Sequence, residues 1–474
     1  MKVGDDYFDS AEFSKLLNAY ETSVNAGEPV FMDADELTDI ADYYQYTGRT
    51  GEAEKAISLA LSLSPGAIAP LTYRIHEAIF KGDNQKARLL LDQIIETSEP
   101  DYIYDKAEIL ISEGKIDEAN QYLTEQLELI SSDERQDFII DVVNIFSEWG
   151  QPGKAMEWIT KGNSEDTPSY KELMGRTLFE MGKFKESQNI FNELVDAYPF
   201  SNRYWTALAS AQYMSEDYSD SVQSSEYAIA IDPNDPAAML TKANGLIKLE
   251  NFEEALKFYN KYIEQIPDDE LALMQKSYCL TNLNQFDEAL STLKQAEEIM
   301  PQDASERCAI YQEEAFILAE LGRTDEALEQ LNKTDAFDCD HVEMLVIKGH
   351  IMLAAQRQKE AQNYFAEALA NSQDRMRTML HIIVSVYENK YVESAYNLFK
   401  EFFEEIDADF NEGYAYMAHC CHALKHYDEY LLYLKQACSR NPQECKQILG
   451  HLFPQDLAPE EYYHYTINKI KQQQ

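Results

Sequence analysis

Residues 236–267 read PAAMLTKANGLIKLENFEEALKFYNKYIEQIP. The first half carries Met239, Ala243, Leu246 and Leu249 at helical spacing and stops near Asn251. The second half starts at Phe252 and puts Ala255, Leu256, Tyr259 and Ile263 on one face. Pro267 closes the unit, because proline lacks an N–H and clashes with a continuing helix. The stretch therefore reads as two short amphipathic helices, neither able to bury its apolar face alone.

The same pattern recurs outward in both directions. Pro199, Pro233, Pro267 and Pro301 are spaced 34 residues apart. In phase with them run Ala53, Ala87, Ala119, Ala155, Ser187, Ser221, Ala255, Ala289, Ala327, Ala361 and Ala395, at steps of 32 to 38. Two antiparallel helices approach closely only where one presents a small side chain, so this series predicts one helix–helix contact per unit. Gly48, Gly82, Gly114, Gly150, Gly182 and Gly322 fall where the first helix of a unit should end in a left-handed cap.

These residues resemble the tetratricopeptide repeat family. One unit offers Trp205, Leu208, Ala209, Ser221, Ala228 and Pro233, and an earlier one Leu37, Ala41, Tyr44, Gly48, Ala53, Ala60 and Pro65. The resemblance covers about residues 34–442 and implies an all-α fold, a right-handed superhelical solenoid of about a dozen helix-turn-helix repeats. We expect an N-terminal capping helix within 1–33, repeats over 34–164 and 165–442, and a C-terminal cap and tail over 443–474, broken at Pro454 and Pro459. Segment 161–170 is the candidate hinge, and the 38-residue step before Ala327 lengthens the connection around Pro301–Ser305. Three units depart from the pattern: the one ending near Gly162 has a truncated second helix, that of Ala395 lacks the closing proline, and Tyr430 takes the small position in the last.

Composition narrows the function. Hydrophobic residues make up 45% of the 474, enough to bury a long core, and 17 Gly with 14 Pro is sparse punctuation. With 85 Asp+Glu against 40 Lys+Arg, the net charge of -45 repels phosphate backbones and anionic leaflets. Neither nucleic acid nor membrane is an expected partner, no transmembrane run occurs, and a partner with a basic or cationic patch fits better. The N-terminus MKVGDDYFDSAEF has no apolar signal-peptide core. The seven cysteines, all after residue 278, read as reduced thiols, so the expected location is cytoplasmic.

In the family, first helices line a concave face where peptides lie, and the resemblance places Asn144, Arg176, Ser210, Asn244 and Tyr278 in one row there, beside Arg203 and Lys248. An extended or acidic-ended peptide could be held by these cations and amides, with Tyr213, Tyr278, Phe316 and Tyr387 as aromatic anchors. Glu172 stands where a chaperone-tail clamp would need lysine. Phe252, Phe286, Phe365 and Phe399 recur at core positions. His419, His422 and His426, in HCCHALKH, follow an i, i+3, i+7 pattern on one expected helix and are weak metal candidates, with Cys421 facing the core. No phosphate-binding loop, nucleophile elbow or zinc-protease motif is present, so no catalytic residue and no cofactor is expected, and a small-molecule substrate is not. The leading reading is a protein-interaction scaffold or adaptor. The alternatives are a peptide-sensing regulator acting on a separate effector, for which no effector domain is visible, and an α-solenoid enzyme, for which no acid/base set is visible. Overpacking by Ala255→Leu is expected to cost about 1–3 kcal/mol, read as a lowered denaturation midpoint.

Overall fold

The computed structural model describes residues 5–8, 10–162, 167–406, 410–454 and 457–473, and all regular structure among them is helical. Of the hinge segment 161–170, residues 163–166 lie outside the described residues. The opening stretch forms the expected pair, Pro236–Lys248 and Phe252–Gln265. Its neighbours do the same, from Ala34–Tyr46 with Thr50–Leu63 to Tyr414–Ala423 with Tyr427–Arg440. Within each unit, packing joins helices to their next or next-but-one neighbours along the chain. Two compact units result, residues 1–241 and 242–474.

The turn between paired helices sets the geometry. Gly48, Gly82, Gly114, Gly150, Gly182 and Gly322 all take positive φ, between 63° and 77°. At the glycine-free turns, Glu216, Glu250, Asn284, Gln356, Lys390 and Lys425 take the same conformation at φ 58–67°. The residue after each then donates its N–H back into the first helix, as Arg49 N to Tyr44 O at 2.7 Å and Asn251 N to Leu246 O at 2.9 Å. That bond satisfies carbonyls the helix end would otherwise leave open.

Five residues beyond each left-handed residue lies the small-residue series, from Ala53 to Ala395, every member at most 1% exposed. Seven residues before it, on the facing helix, stand Ala41, Gly175, Ala209, Ser277, Gly349 and their equivalents. These two positions touch. Ser187 Oγ donates to Gly175 O and Ser221 Oγ to Ala209 O, both at 2.8 Å, while Ser277 donates the other way to Ala289 O at 3.1 Å. A serine is tolerated here because its hydroxyl finds a carbonyl across the contact. Where the facing residue is glycine, an aromatic ring fills the space: Phe191 lies over Gly175 and Phe365 over Gly349.

In the first unit the core follows chain order, from a cluster around Phe13, Leu37 and Ile57, to one around Phe138, Phe146 and Trp158, to one around Phe191 and Leu208. In the second, a cluster over residues 273–317 is followed by a larger one over 315–462. Phe365 and Phe399 are buried as expected; Phe252 and Phe286 are half-buried, because they begin their helices beside the turn. Outside the pairs lie helices Ala11–Ala26, Pro442–Leu449 and Tyr462–Gln473. The long connection after Ile299 is held by Arg307, whose guanidinium donates to the carbonyls of Glu297 and Met300 at 2.7 Å and Pro301 at 2.8 Å. It neutralises the negative end of the preceding helix. The short second helix Pro152–Lys161 matches expectation, but Asn84–Leu91 is shorter still.

One expectation is corrected. Cys308 and Cys339, Cα atoms 6.3 Å apart, form a disulfide, so the cysteines are not all reduced thiols and their count no longer argues for a reducing compartment. The two lie 31 positions apart in sequence, and the helix pair between them brings the thiols together. The other five are buried.

Two substitutions should act with opposite sign. Gly349→Ala drives a methyl into the Phe365 ring and is expected to cost about 1–3 kcal/mol. Lys390→Gly relieves a left-handed backbone and is expected to gain up to about 1 kcal/mol. Denaturant melts of both variants check the pair of signs. Ellman's reagent is expected to titrate five thiols in the denatured, unreduced chain and seven after reduction.

Candidate functional site

Six residues before each left-handed turn residue lies one side chain of the first helix, on the same face in every pair. In the first unit this gives the row Asn144, Arg176, Ser210, and in the second it gives Asn244, Tyr278. Toward the N-terminus it continues as Asp42, His76 and Glu108, and toward the C-terminus as Phe316, His350, Val384 and His419. The extensions hold the denser chemistry.

In the second unit, a cleft of about 530 Å³ opens on this face. Its apolar floor is Phe316, Val346, Ile347, Leu380, Val384 and Tyr416, drawn from the first helices of successive pairs. His350, His381 and Ser385 stand among them, and Glu388, Glu412 and Glu444 line it without any lysine or arginine among the described residues. His350 Nδ1 lies 3.1 Å from Ser385 Oγ and 3.9 Å from Glu388, and burial pushes its pKa down. The Phe316 ring meets the His350 ring edge-on, centroids 6.1 Å apart. Glu444 accepts from Gly413 N at 2.8 Å and Ala415 N at 3.1 Å, capping helix Tyr414–Ala423, although its burial raises its pKa. Burial takes the Tyr416 hydroxyl up to about 12.

A polar cluster occupies the row in the first unit. His76 Nε2 lies 3.0 Å from Asp105 Oδ1 and 2.8 Å from Glu108 Oε2, with Asp105 supplied three residues before Glu108 on helix Pro100–Ser112. Thr72 Oγ1 donates to the other Asp105 oxygen at 2.7 Å. The Asp105 side chain is 1% exposed, that of Glu108 14% and that of His76 53%. Burial pulls the imidazole down, but the two carboxylates overcome it and take it up to about 10. Burial, then Asp39, raise Asp42 to about 6 against the pull of His76.

Of the residues expected from sequence, Phe316 lines the cleft. Arg203 is ion-paired with Glu172 and lies over the Tyr204 ring. Tyr259 donates its hydroxyl to Asn244. Tyr278 packs edge-on against Phe252, and Tyr213 lies tilted against Tyr218. Arg176 and Lys248 are exposed and Asn144 half-buried. Tyr387 donates to or accepts from His419 Nδ1 at 3.0 Å.

The 419–426 stretch does not form one helix. The helix ends at Ala423, Lys425 turns left-handed, and His426 caps the next helix. The three imidazoles accordingly face separate neighbours: His419 meets Tyr387 and His451, His422 meets Tyr430, and His426 meets Tyr396. Cys420 and Cys421 are fully buried. The repeat pattern does not by itself single out His76, Asp105 and Glu108: two further steps from Asn144 toward the N-terminus reach Glu108 and His76, and Asp105 lies off the row.

Profiles of the tetratricopeptide repeat match residues 173–236, 213–277 and 271–303. No curated protein matches the chain. Among solved structures, a tetratricopeptide repeat protein from Parabacteroides merdae ATCC 43184 is 15% identical, with a TM-score of 0.40, over 53% of this chain and 98% of that one. MamA 41-end from Desulfovibrio magneticus RS-1 is 16% identical, with a TM-score of 0.34, over 36% and 94%. MamA AMB-1 is 20% identical, with a TM-score of 0.32, over 36% and 97%. Residues 173–303 thus match tetratricopeptide repeats, and the helix pairs on either side close with the same left-handed turns.

Proposed function

We propose that the chain is a non-enzymatic adaptor that holds an extended partner segment in the cleft of its second unit, the segment presenting an apolar anchor flanked by lysine or arginine. Tetratricopeptide repeats support a protein-interaction scaffold in general terms. The finer reading rests on one observation: an apolar floor lined by three carboxylates and, among the described residues, by no cation. A large side chain on Leu380 and Val384 removes apolar area from water, and flanking cations answer Glu388, Glu412 and Glu444. No helix among the described residues is long and apolar enough to cross a membrane.

A peptide array, with fluorescence anisotropy on the peptides it selects, tests this. Apolar peptides flanked by Lys or Arg should be enriched, and their affinity should fall about 10- to 100-fold with Val384→Glu, consistent with loss of an anchor. Glu388→Lys with Glu412→Lys should weaken binding and flatten its salt dependence. Enrichment of acidic-ended peptides, sensitive to Arg176→Ala and Arg203→Ala but not to Val384→Glu, would place the groove in the first unit instead and overturn the cleft assignment.

A further inference from the structure

From the meeting of His76, Asp105 and Glu108 we infer that the first unit binds a first-row divalent transition metal ion, of which zinc is the type. The ligand atoms of the three residues all lie within 4.8 Å of one another. Ligands held 2.0–2.1 Å from an ion stand about 2.9 Å apart in an octahedral shell and about 3.3 Å apart in a tetrahedral one. The distances from His76 Nε2 to Asp105 Oδ1 and to Glu108 Oε2, 3.0 and 2.8 Å, have that size. An ion at their common point replaces the imidazole proton that otherwise holds the two carboxylates together.

The surroundings suit an ion. Asp105 and Glu108 come from one helix at i, i+3, and His76 from the first helix of the preceding pair, so two rigid elements fix the donor set. Thr72 Oγ1 holds the second oxygen of Asp105, orienting the first toward His76, the kind of outer bond that metal ligands usually carry. Two carboxylates against one imidazole leave excess negative charge where Asp105 is removed from water, and a divalent cation neutralises it. The half-exposed imidazole gives the ion a way in and leaves open positions for water. A nitrogen donor favours zinc, cobalt or nickel over calcium and magnesium, which prefer all-oxygen shells.

The full chain, stripped with chelator and dialysed into 150 mM salt, is titrated with Zn²⁺ by calorimetry and with Co²⁺ by visible absorption. One equivalent per chain is expected to bind, with a ligand-field band and a raised Tm. His76→Gln and Glu108→Gln should each weaken it at least tenfold, and Thr72→Val about tenfold through the orientation of Asp105. Both Gln variants keep the side-chain volume close to the original, and circular dichroism verifies their fold. Binding that is unchanged in His76→Gln, that vanishes at 150 mM salt, or that is as tight for Ca²⁺ or Mg²⁺ would overturn the assignment and leave a charge-assisted hydrogen-bond cluster.

Discussion

The structure depends on one close contact repeated along the chain, where a small residue five positions past a left-handed turn meets its counterpart seven positions before it. The contact is local, spanning twelve residues, as the Ser187–Gly175 and Ser221–Ala209 hydrogen bonds record. It brings two helices near enough for their larger side chains to interdigitate on either side, and dispersion and burial then accumulate. A leucine at this point would push the pair apart and lose that packing at once. Tyr430 occupies it in the final pair, 6% exposed, with His422 against its ring.

The turn serves the contact. A left-handed residue reverses the chain within two or three residues and caps the first helix, so the register between the helices cannot drift. Glycine meets the requirement without strain at Gly48 or Gly322, while Glu216 or Lys390 meets it because the packing on both sides insists. Here packing overrides local preference.

With the register held, each first helix delivers the residue six before the turn to one face. What that face does is then decided by which side chains the pairs supply. In the second unit Phe316, His350 and Val384 supply an apolar floor among carboxylates. In the first, His76 and Glu108 join Asp105 in a polar cluster whose charges hold one another in place. One scaffold thus carries two chemically different surfaces, because surface chemistry is not constrained by the contact that builds the pairs.

Helix pairing, the small-residue series and the six turn glycines were legible in the sequence, since each follows from spacing within a hairpin of about 34 residues. Tertiary structure alone decided that Cys308 reaches Cys339, that the HCCHALKH stretch breaks at Lys425, and that Asp105 meets His76 from the neighbouring pair. Those outcomes depend on the small rotation and rise from one pair to the next. That step is the sum of many weak side-chain contacts, and periodicity in a sequence records the repeat but not the angle.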